Sequence, residues 1–387
     1  MYPNLYYAFK DLFGIELNGL KLINSFGFFV ALSFVASAWI LTLELKRKQN
    51  LGQFSYTEEK MMVGAPASVG ELVINFLLGF LFGFKIIGAF LIPDALDNPQ
   101  EFILSARGHA PMGIVVGLVF AFLKWRERNR QRLDKPEIRV VRIWPHDRVG
   151  DVVLYAAVFG FLGAKIFHNL ENWNEFVKDP WGALVSFSGL TFYGGLICAG
   201  IAIIIYARKH RISIIHLCDT MAPVMMFAYA FGRIGCQVSG DGDWGIINRS
   251  AKPFSWIPDW AWAYKYPHNV IGEGIAIPGC EGPYCNELLA PVYPTPLYEI
   301  IVCFLLFGLI WYFRKKWKTP GMLAGLYLVL NGLERFFIEK IRVNTKYTDL
   351  PFQPTQAEII SSVLVIGGLI LLLNAKKWFG KPTGTTT

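Results

Sequence analysis

The sequence predicts an all-α fold, that of a polytopic helical membrane protein, from three observations. The chain of 387 residues is 53% hydrophobic, with a mean hydropathy of +0.38, against an apolar share of roughly 45–50% in soluble chains. Apolar stretches of about 20 residues, enough to cross roughly 30 Å of hydrocarbon, recur along it. Short clusters of Lys and Arg separate these stretches, so the net charge of +8 indicates membrane topology and not a nucleic-acid partner.

Nine segments fit the length of a membrane span. No small-residue cleavage site follows the first, and acidic residues precede it, so we expect a retained span and not a signal peptide. The third is short and is the least regular of the set. The predicted spans lie at about 24–45, 69–93, 110–125, 148–168, 183–206, 214–233, 297–313, 321–339 and 357–375.

The loop charges predict an orientation. Five basic clusters fall on one side of the membrane only if segment 110–125 crosses it, and cytoplasmic loops carry the excess of Lys and Arg. We therefore expect the N-terminus outside and the C-terminus in the cytoplasm. The opposite side receives acidic or mixed loops and the polar stretch at 236–296, which is too long for a simple connector. We expect that stretch to be a small external head within a single membrane domain covering residues 1–387.

The six cysteines leave two interpretations open in the head and predict no metal site. Cys280 and Cys285 are spaced as CEGPYC, which an oxidising compartment would allow to form a local disulfide, and two free thiols fit the spacing equally well. The other four lie in or beside predicted spans and have no paired CxxC spacing. A metal site is therefore not expected.

Ionisable residues within apolar spans are the sharpest functional signal, because an arginine at mid-membrane costs roughly 2.5–3.5 kcal/mol even on the lenient insertion scale. Arg233 lies at the end of one predicted span, and Arg335, Glu339 and Arg342 lie near the end of another. The i,i+4 spacing puts Arg335 and Glu339 on one helix face, with Arg342 further along the same stripe. The alternative is a structural ion pair whose charges extend to the membrane interface.

Two glycine-containing motifs could complete a site for an anionic ligand. The run GRIGCQVSGDGDWG at 232–245 contains five glycines, whose backbone N–H groups can converge on a phosphate, although a plain turn is a common alternative. Its Asp241 and Asp243 would repel a phosphate unless they pair with the arginines. Tyr193 precedes Gly194 and Gly195 within a span, where it could donate to a phosphate or simply pack. His268 and Tyr298 flank the head and suit either an outer cavity or structural capping.

Four motifs in order resemble those of the bacterial phosphatidylglycerol:prolipoprotein diacylglyceryl transferases. They are the run at 232–245, which resembles the family's Gly-Arg-x-Gly-Asn motif; TFYGGL at 191–196, similar to its His-Gly-Gly or Tyr-Gly-Gly segment; PTPLYE at 294–299, similar to Pro-Ser-Gln-Leu-Tyr-Glu; and RFFIEKIR at 335–342, similar to Arg-Phe-x-x-Glu-x-x-Arg. The resemblance covers most of the chain. It implies a seven-span core in the bacterial inner membrane, to which residues 50–145 add about two N-terminal spans.

The resemblance also implies an activity without a metal or cofactor. In that family the thiol of a prolipoprotein lipobox cysteine attacks a glycerol carbon of phosphatidylglycerol, which leaves a thioether and releases glycerol 1-phosphate. Arg233 and Arg335 match arginines suited to hold the phosphate, with Glu339 orienting Arg335 and Tyr193 as a fourth catalytic candidate. The implied substrate-binding residues are Gly194, Gly195, Ser239, Asp241, Gly245, His268, Tyr298 and Arg342.

Four positions depart from the family pattern. Tyr193 stands where many relatives have His, Cys236 where many have Asn, Phe26 where many have Tyr, and Asp241 where many have Glu. A mechanism that needs a histidine base at position 193 cannot apply, and a tyrosine hydroxyl, with an ordinary pKa of about 10, is a poor base. The base that activates the thiol is therefore unassigned. A secondary transporter and another lipid-dependent transferase are the competing interpretations.

Overall fold

The computed structural model describes residues 1–96, 99–185, 191–344, 346–347 and 352–380. It is mostly helical, as predicted. The long helices, with a short N-terminal one, are α1 (Leu5–Phe13), α2 (Ser25–Asn50), α3 (Val69–Leu81, continued by a π-helical turn at Phe82–Ile87 and a last turn at Gly88–Leu91), α4 (Ala110–Arg130), α5 (Val149–Glu171), α6 (Phe192–Lys209), α7 (Ile214–Ser239), α8 (Thr295–Lys316), α9 (Met322–Glu339) and α10 (Gln356–Phe379).

The remaining elements are short. Single helical turns or little more occur at Asn18–Leu22, Pro99–Leu104, Pro145–Arg148, Trp173–Lys178, Pro180–Val185 and Asp259–Trp262. Two antiparallel ribbons complete the described chain. In the first, β1 (Thr57–Val63) pairs with β2 (Glu137–Ile143), with Thr57 opposite Ile143 and Val63 opposite Glu137; in the second, β3 (Ile275–Ala276) pairs with β4 (Asn286–Glu287).

Seven helical segments of the described chain are long and apolar enough to cross a membrane, which confirms a polytopic helical membrane protein. They are Ser25–Asn50, Val69–Leu91, Pro145–Glu171, Phe192–Lys209, Ile214–Ser239, Thr295–Lys316 and Gln356–Phe379. The other two predicted spans are also helices. However, α4 ends in a basic stretch and the 18 residues of α9 include Glu334, Arg335 and Glu339, so neither is among the seven. Part of the predicted span 183–206, residues 186–190, lies outside the described residues.

Contacts divide the chain into two units. The first contains Met1–Leu12, Ile23–Ser55 and the described residues from Ala207 onward; the second contains Phe13–Leu22 and Tyr56–Tyr206. The core of the first unit lies between α7, α8 and α9, where Met226, Ala230, Cys303 and Ile310 are all fully buried. The prediction that residues 50–145 are an insertion into a family core, and the external position of the head, stay predictions.

Close helix contacts in the first unit depend on small residues and on buried charge. A Cβ on Gly325 of α9 would lie 3.0 Å from the carbonyl oxygen of Gly368 in α10, so these backbones touch. Near the start of α7, the Asp219 carboxylate accepts hydrogen bonds from the N–H groups of Gly321 and Ala324 at the N-terminus of α9, both at 2.9 Å. A carboxylate at a helix N-terminus is stabilising. These contacts fix α9, and with it the arginines near its end.

The second unit shows the same packing principle. A Cβ on Gly79 of α3 would lie 2.7 Å from the carbonyl oxygen of Val116 in α4, and one on Gly195 of α6 would lie 2.8 Å from the carbonyl oxygen of Gly160 in α5. Helices in lipid pack by close approach of their backbones at small residues, because the hydrophobic effect does not drive helices together in an apolar solvent.

The polar stretch between α7 and α8 folds as a small module of the first unit. Trp244, Tyr266, Leu288 and Val292 form its buried centre, and Cys280 and Cys285 form a disulfide with a Cα–Cα distance of 5.6 Å. Of the two interpretations of CEGPYC, the structure has the bridge.

Candidate active site

The site is built where α7 ends. Gly240 adopts a left-handed conformation with φ 65°, which a side chain disfavours, and donates its N–H to the Cys236 carbonyl at 3.0 Å. Gly242, with φ 97°, turns the chain a second time. The two turns bring Asp243 back onto the last turns of α7, where it pairs with Arg233.

Three arginines meet around two carboxylates at this point. Arg233 pairs with both Asp243 and Glu299. Arg342 also pairs with both, through Nη2 at 2.6 Å from Asp243 and Nη1 at 3.3 Å from Glu299, while Arg335 Nη1 lies 3.5 Å from Glu299. These charges come from α7, the loop after it, α8, α9 and the segment after α9. We call the set Arg233, Arg335, Arg342, Asp243, Glu299 and Glu339 the arginine cluster.

The predicted Arg335–Glu339 pair forms, with Nη2 and Oε2 3.0 Å apart. Glu339 is itself held from α10, because the Thr355 hydroxyl donates to its Oε1 at 2.8 Å and the Asn344 amide donates to the same oxygen at 2.5 Å. Glu339 thus holds one nitrogen of the Arg335 guanidinium, Nη2, while Glu299 contacts the other, Nη1. A guanidinium held on two sides loses little freedom when it meets an anion.

Glu299 lies at the centre of the arginine cluster, although the sequence analysis does not predict it as a catalytic or binding residue. Its side chain is fully buried and touches all three arginines. Asp243 is likewise not among the predicted catalytic or binding residues. The signal for Glu299 was its position as the sole carboxylate of the apolar segment 297–313, directly after Tyr298.

Gly245 is confined by the chain that carries Arg342. Its N–H donates to the Tyr293 carbonyl at 2.8 Å, and Gly245 forms an isolated β-bridge with Arg342. A Cβ at this position would meet the Ile341 carbonyl oxygen and lie 2.9 Å from the side chains of Thr295 and Tyr293. Glycine is required here by space, and the bridge positions the backbone of Arg342.

The two aspartates of the glycine-rich run differ in electrostatic environment. Burial alone would raise the pKa of Asp243, but the guanidinium groups of Arg233 and Arg342 outweigh it and lower the pKa to about 2. Burial raises the pKa of Asp241, and the negative charge of Asp243 raises it further. Asp243 is therefore a permanent anion that completes the cluster, whereas Asp241 holds a proton more readily.

Cys236, which replaces the family's Asn, lies between these groups. Its sulfur is 3.6 Å from Nη1 of Arg233, and the sulfur and one oxygen each of Asp241 and Asp243 lie within 4.8 Å of one another. By distance alone the three groups could hold a metal ion. The Arg233 guanidinium contacts two of them and supplies positive charge at this place.

Other residues of the predicted set have structural contacts. The Ser239 hydroxyl donates to the Gly235 carbonyl of its own helix at 2.8 Å, and the Tyr298 hydroxyl donates to the Ala261 carbonyl in the head at 3.0 Å. His268 lies in the head beside the disulfide, with Nδ1 2.8 Å from the Tyr284 carbonyl oxygen. These three contacts hold the head and the end of α7, and none of them is with the arginine cluster.

Tyr193, Gly194 and Gly195 lie in the first turn of α6, within the second unit. A Cβ on Gly194 would lie 2.7 Å from the Gly163 carbonyl oxygen in α5. Both glycines therefore serve helix packing, and the catalytic role predicted for Tyr193 and the binding role predicted for the two glycines stay predictions.

Comparison with known proteins adds an independent finding. A family model described as prolipoprotein diacylglyceryl transferase matches residues 111–374. Proteins named phosphatidylglycerol–prolipoprotein diacylglyceryl transferase are similar over most of their length. One from Corynebacterium efficiens is 30% identical, covering 73% of this chain and 83% of that protein; one from Leptospira interrogans is 27% identical, covering 74% and 96%; one from Buchnera aphidicola is 27% identical, covering 71% and 95%.

Proposed function

The chain belongs to the prolipoprotein diacylglyceryl transferase family and is a multi-pass bacterial membrane transferase, and we propose that its arginine cluster binds the phosphate of phosphatidylglycerol during transfer. The group transferred is sn-1,2-diacylglyceryl and the acceptor is the lipobox cysteine of a prolipoprotein signal peptide. The products are a thioether and glycerol 1-phosphate, in the first step of lipoprotein maturation.

The observation that carries this proposal is the convergence of three guanidinium groups from separate elements. Each arginine is already paired with carboxylates, and each guanidinium has five N–H donors, so donors remain for phosphate oxygens. The leaving group of the reaction is a phosphate ester that gains negative charge as the carbon–oxygen bond breaks. Fixed cations aimed at that charge stabilise the transition state more than the ground state.

The place of the cluster suits a lipid substrate. It lies at the end of α7, the start of α8 and the end of α9, so it is at one end of its helices and not at their middle. Charge alternation of the loops predicts that this end lies at the outer face, with the N-terminus outside and the C-terminus in the cytoplasm. A phospholipid there would keep its acyl chains in the bilayer and present its phosphate to the arginines.

A peptide transfer assay tests the proposal. Purified protein is incubated with a lipobox peptide and phosphatidylglycerol, and the peptide is expected to gain the mass of one diacylglyceryl group on its cysteine. Phosphatidylethanolamine in place of phosphatidylglycerol separates this activity from that of another lipid-dependent transferase. No mass gain with any phospholipid would reject the transferase mechanism assigned to this site.

Variants then test the assigned roles. Arg335→Ala is expected to reduce turnover by about 10²-fold or more, and Arg335→Lys to remain poor, because lysine cannot make a two-point contact with phosphate. Arg142→Ala is the matched control, since Arg142 is 64% exposed and forms its ion pair with the exposed Glu58. Tyr193→Phe tests the tyrosine: full activity would exclude a role for its hydroxyl.

A further inference from the structure

The glycine-rich loop after α7 contains two carboxylates whose pKa values are shifted in opposite directions, that of Asp241 upward and that of Asp243 downward. Asp243 contacts Arg233 and Arg342, while Asp241 forms no ion pair within the part of the chain that the structure describes. Two neighbouring carboxylates whose environments move their pKa values apart are the usual arrangement of an electrostatic partner and a proton acceptor. Within three residues, the loop therefore holds one carboxylate suited to pairing with arginines and one suited to accepting a proton.

Geometry places Asp241 where a sulfur atom can reach it. Left-handed Gly240 and Gly242 flank it, and its Oδ1 accepts the Asp243 N–H at 3.3 Å. The Cys236 sulfur occupies this neighbourhood, within 4.8 Å of a carboxylate oxygen of Asp241. Asp241 is also only partly buried.

The carboxylates of the arginine cluster are already engaged by cations. Glu299 contacts three arginines, Glu339 pairs with Arg335 and accepts two further hydrogen bonds, and Asp243 contacts two arginines. Their oxygens are therefore occupied by guanidinium groups, whereas Asp241 has no ion-pair partner among the described residues. The charged and titratable groups facing Asp241 are Asp243 on its loop, Arg233 and Cys236 on α7, and Tyr266 in the head.

We propose that Asp241 accepts the proton of the acceptor cysteine thiol, an assignment that rests on the proposed function. A thiol with an ordinary pKa of about 8.5 is mostly protonated at neutral pH and needs such a base. The S–H proton moves to the Asp241 carboxylate, and the thiolate forms a bond to the glycerol carbon of the lipid. The bond from that carbon to the phosphate ester oxygen breaks, its electron pair stays on the phosphate, and the released glycerol phosphate takes the proton from Asp241.

The test compares a thiol acceptor with a selenol acceptor, because the selenol of selenocysteine is ionised at neutral pH and needs no base. Asp241→Asn is expected to lower kcat/KM for the cysteine peptide by about 10²-fold at pH 7, with the loss shrinking as the pH approaches the thiol pKa. The same variant should keep kcat/KM for the selenocysteine peptide within about threefold of the parent protein. Asp241→Glu, which restores the residue common among relatives, should keep most activity with both peptides.

Two further variants separate the possible results. Arg233→Ala should fail with both peptides, because the phosphate site is lost, and Asp259→Asn, an exposed head aspartate, should change neither rate. Equal loss with both acceptors in a normally folded Asp241→Asn protein, judged by thermal unfolding, would overturn the base role. Unchanged turnover with the cysteine peptide would overturn it too. A parent protein that modifies neither peptide would instead reject the proposed function itself.

Discussion

Replacing Glu299 by Gln gives the most direct test of how the arginine cluster is held together. The substitution keeps the shape of the side chain and removes its charge. Glu299 is fully buried and contacts Arg233, Arg335 and Arg342, so the variant leaves Asp243 and Glu339 as the ion-pair partners of these cations among the described residues. Removing one partner from a buried ion pair costs about 3–5 kcal/mol, because the remaining charge is desolvated and uncompensated.

Part of that cost should appear as lower stability and part as lost activity. We expect a lower thermal unfolding midpoint in detergent and, because displaced arginines no longer match the phosphate, a loss of about 10²-fold in kcat/KM for the lipobox peptide. The control is Glu58→Gln. Glu58 is 51% exposed and lies 3.4 Å from an arginine that is 64% exposed, so its loss should change stability by no more than about 0.5 kcal/mol.

The outcome that refutes this reasoning is a Glu299→Gln protein with both properties unchanged. That result would mean that Asp243, Glu339 and the backbone around each arginine are enough to hold the three arginines. Loss of activity with unchanged unfolding would limit the role of Glu299 to orienting the arginines.

Three other predictions concern Asp243, Gly245 and the disulfide of the head. Asp243 has a folded-state pKa of about 2, below its ordinary value of 3.8, so its stabilisation should be full above about pH 4 and disappear as the pH falls through 2; acid unfolding of Asp243→Asn, compared with the parent, measures this. Gly245→Ala should abolish most turnover and lower the unfolding midpoint, since the added Cβ would lie 2.9 Å from Thr295 and meet backbone; normal activity would show that the bridge can shift. Reducing the Cys280–Cys285 disulfide should destabilise the head by about 2 kcal/mol, as expected for so short a loop, and faster proteolysis of the head under reductant would detect it.

Apolar windows of about 20 residues predicted where the long helices lie, but they did not predict where some of these helices end. The first span was expected to end near residue 45, but α2 continues to Asn50 because Glu44 and Lys48 are buried in contacts with Arg314 and Asp219. Such partners lie far away in sequence, and no window average detects them. Conversely, the Arg335–Glu339 pair was predictable because both residues lie on one helix, one turn apart.

The centre of the site could not be predicted in the same way. Glu299, Asp243 and Arg342 come from three elements separated by long stretches of chain, and only tertiary packing joins them. Family motifs indicated which residues matter, but not that Glu299 is their common partner. The difference between Asp241 and Asp243 was also hidden, because two aspartates in DGD are equivalent until the arginines are positioned.

The arginine cluster counts three cations and three carboxylates, so its formal charge is zero before any lipid arrives. An incoming phosphate therefore meets guanidinium groups whose charge is already balanced by carboxylates, and it binds through their remaining N–H donors. This balance keeps the electrostatic gain on binding modest, both for the lipid that enters and for the glycerol phosphate that departs. A cluster of three unpaired arginines would hold that product tightly, and turnover would be limited by its release.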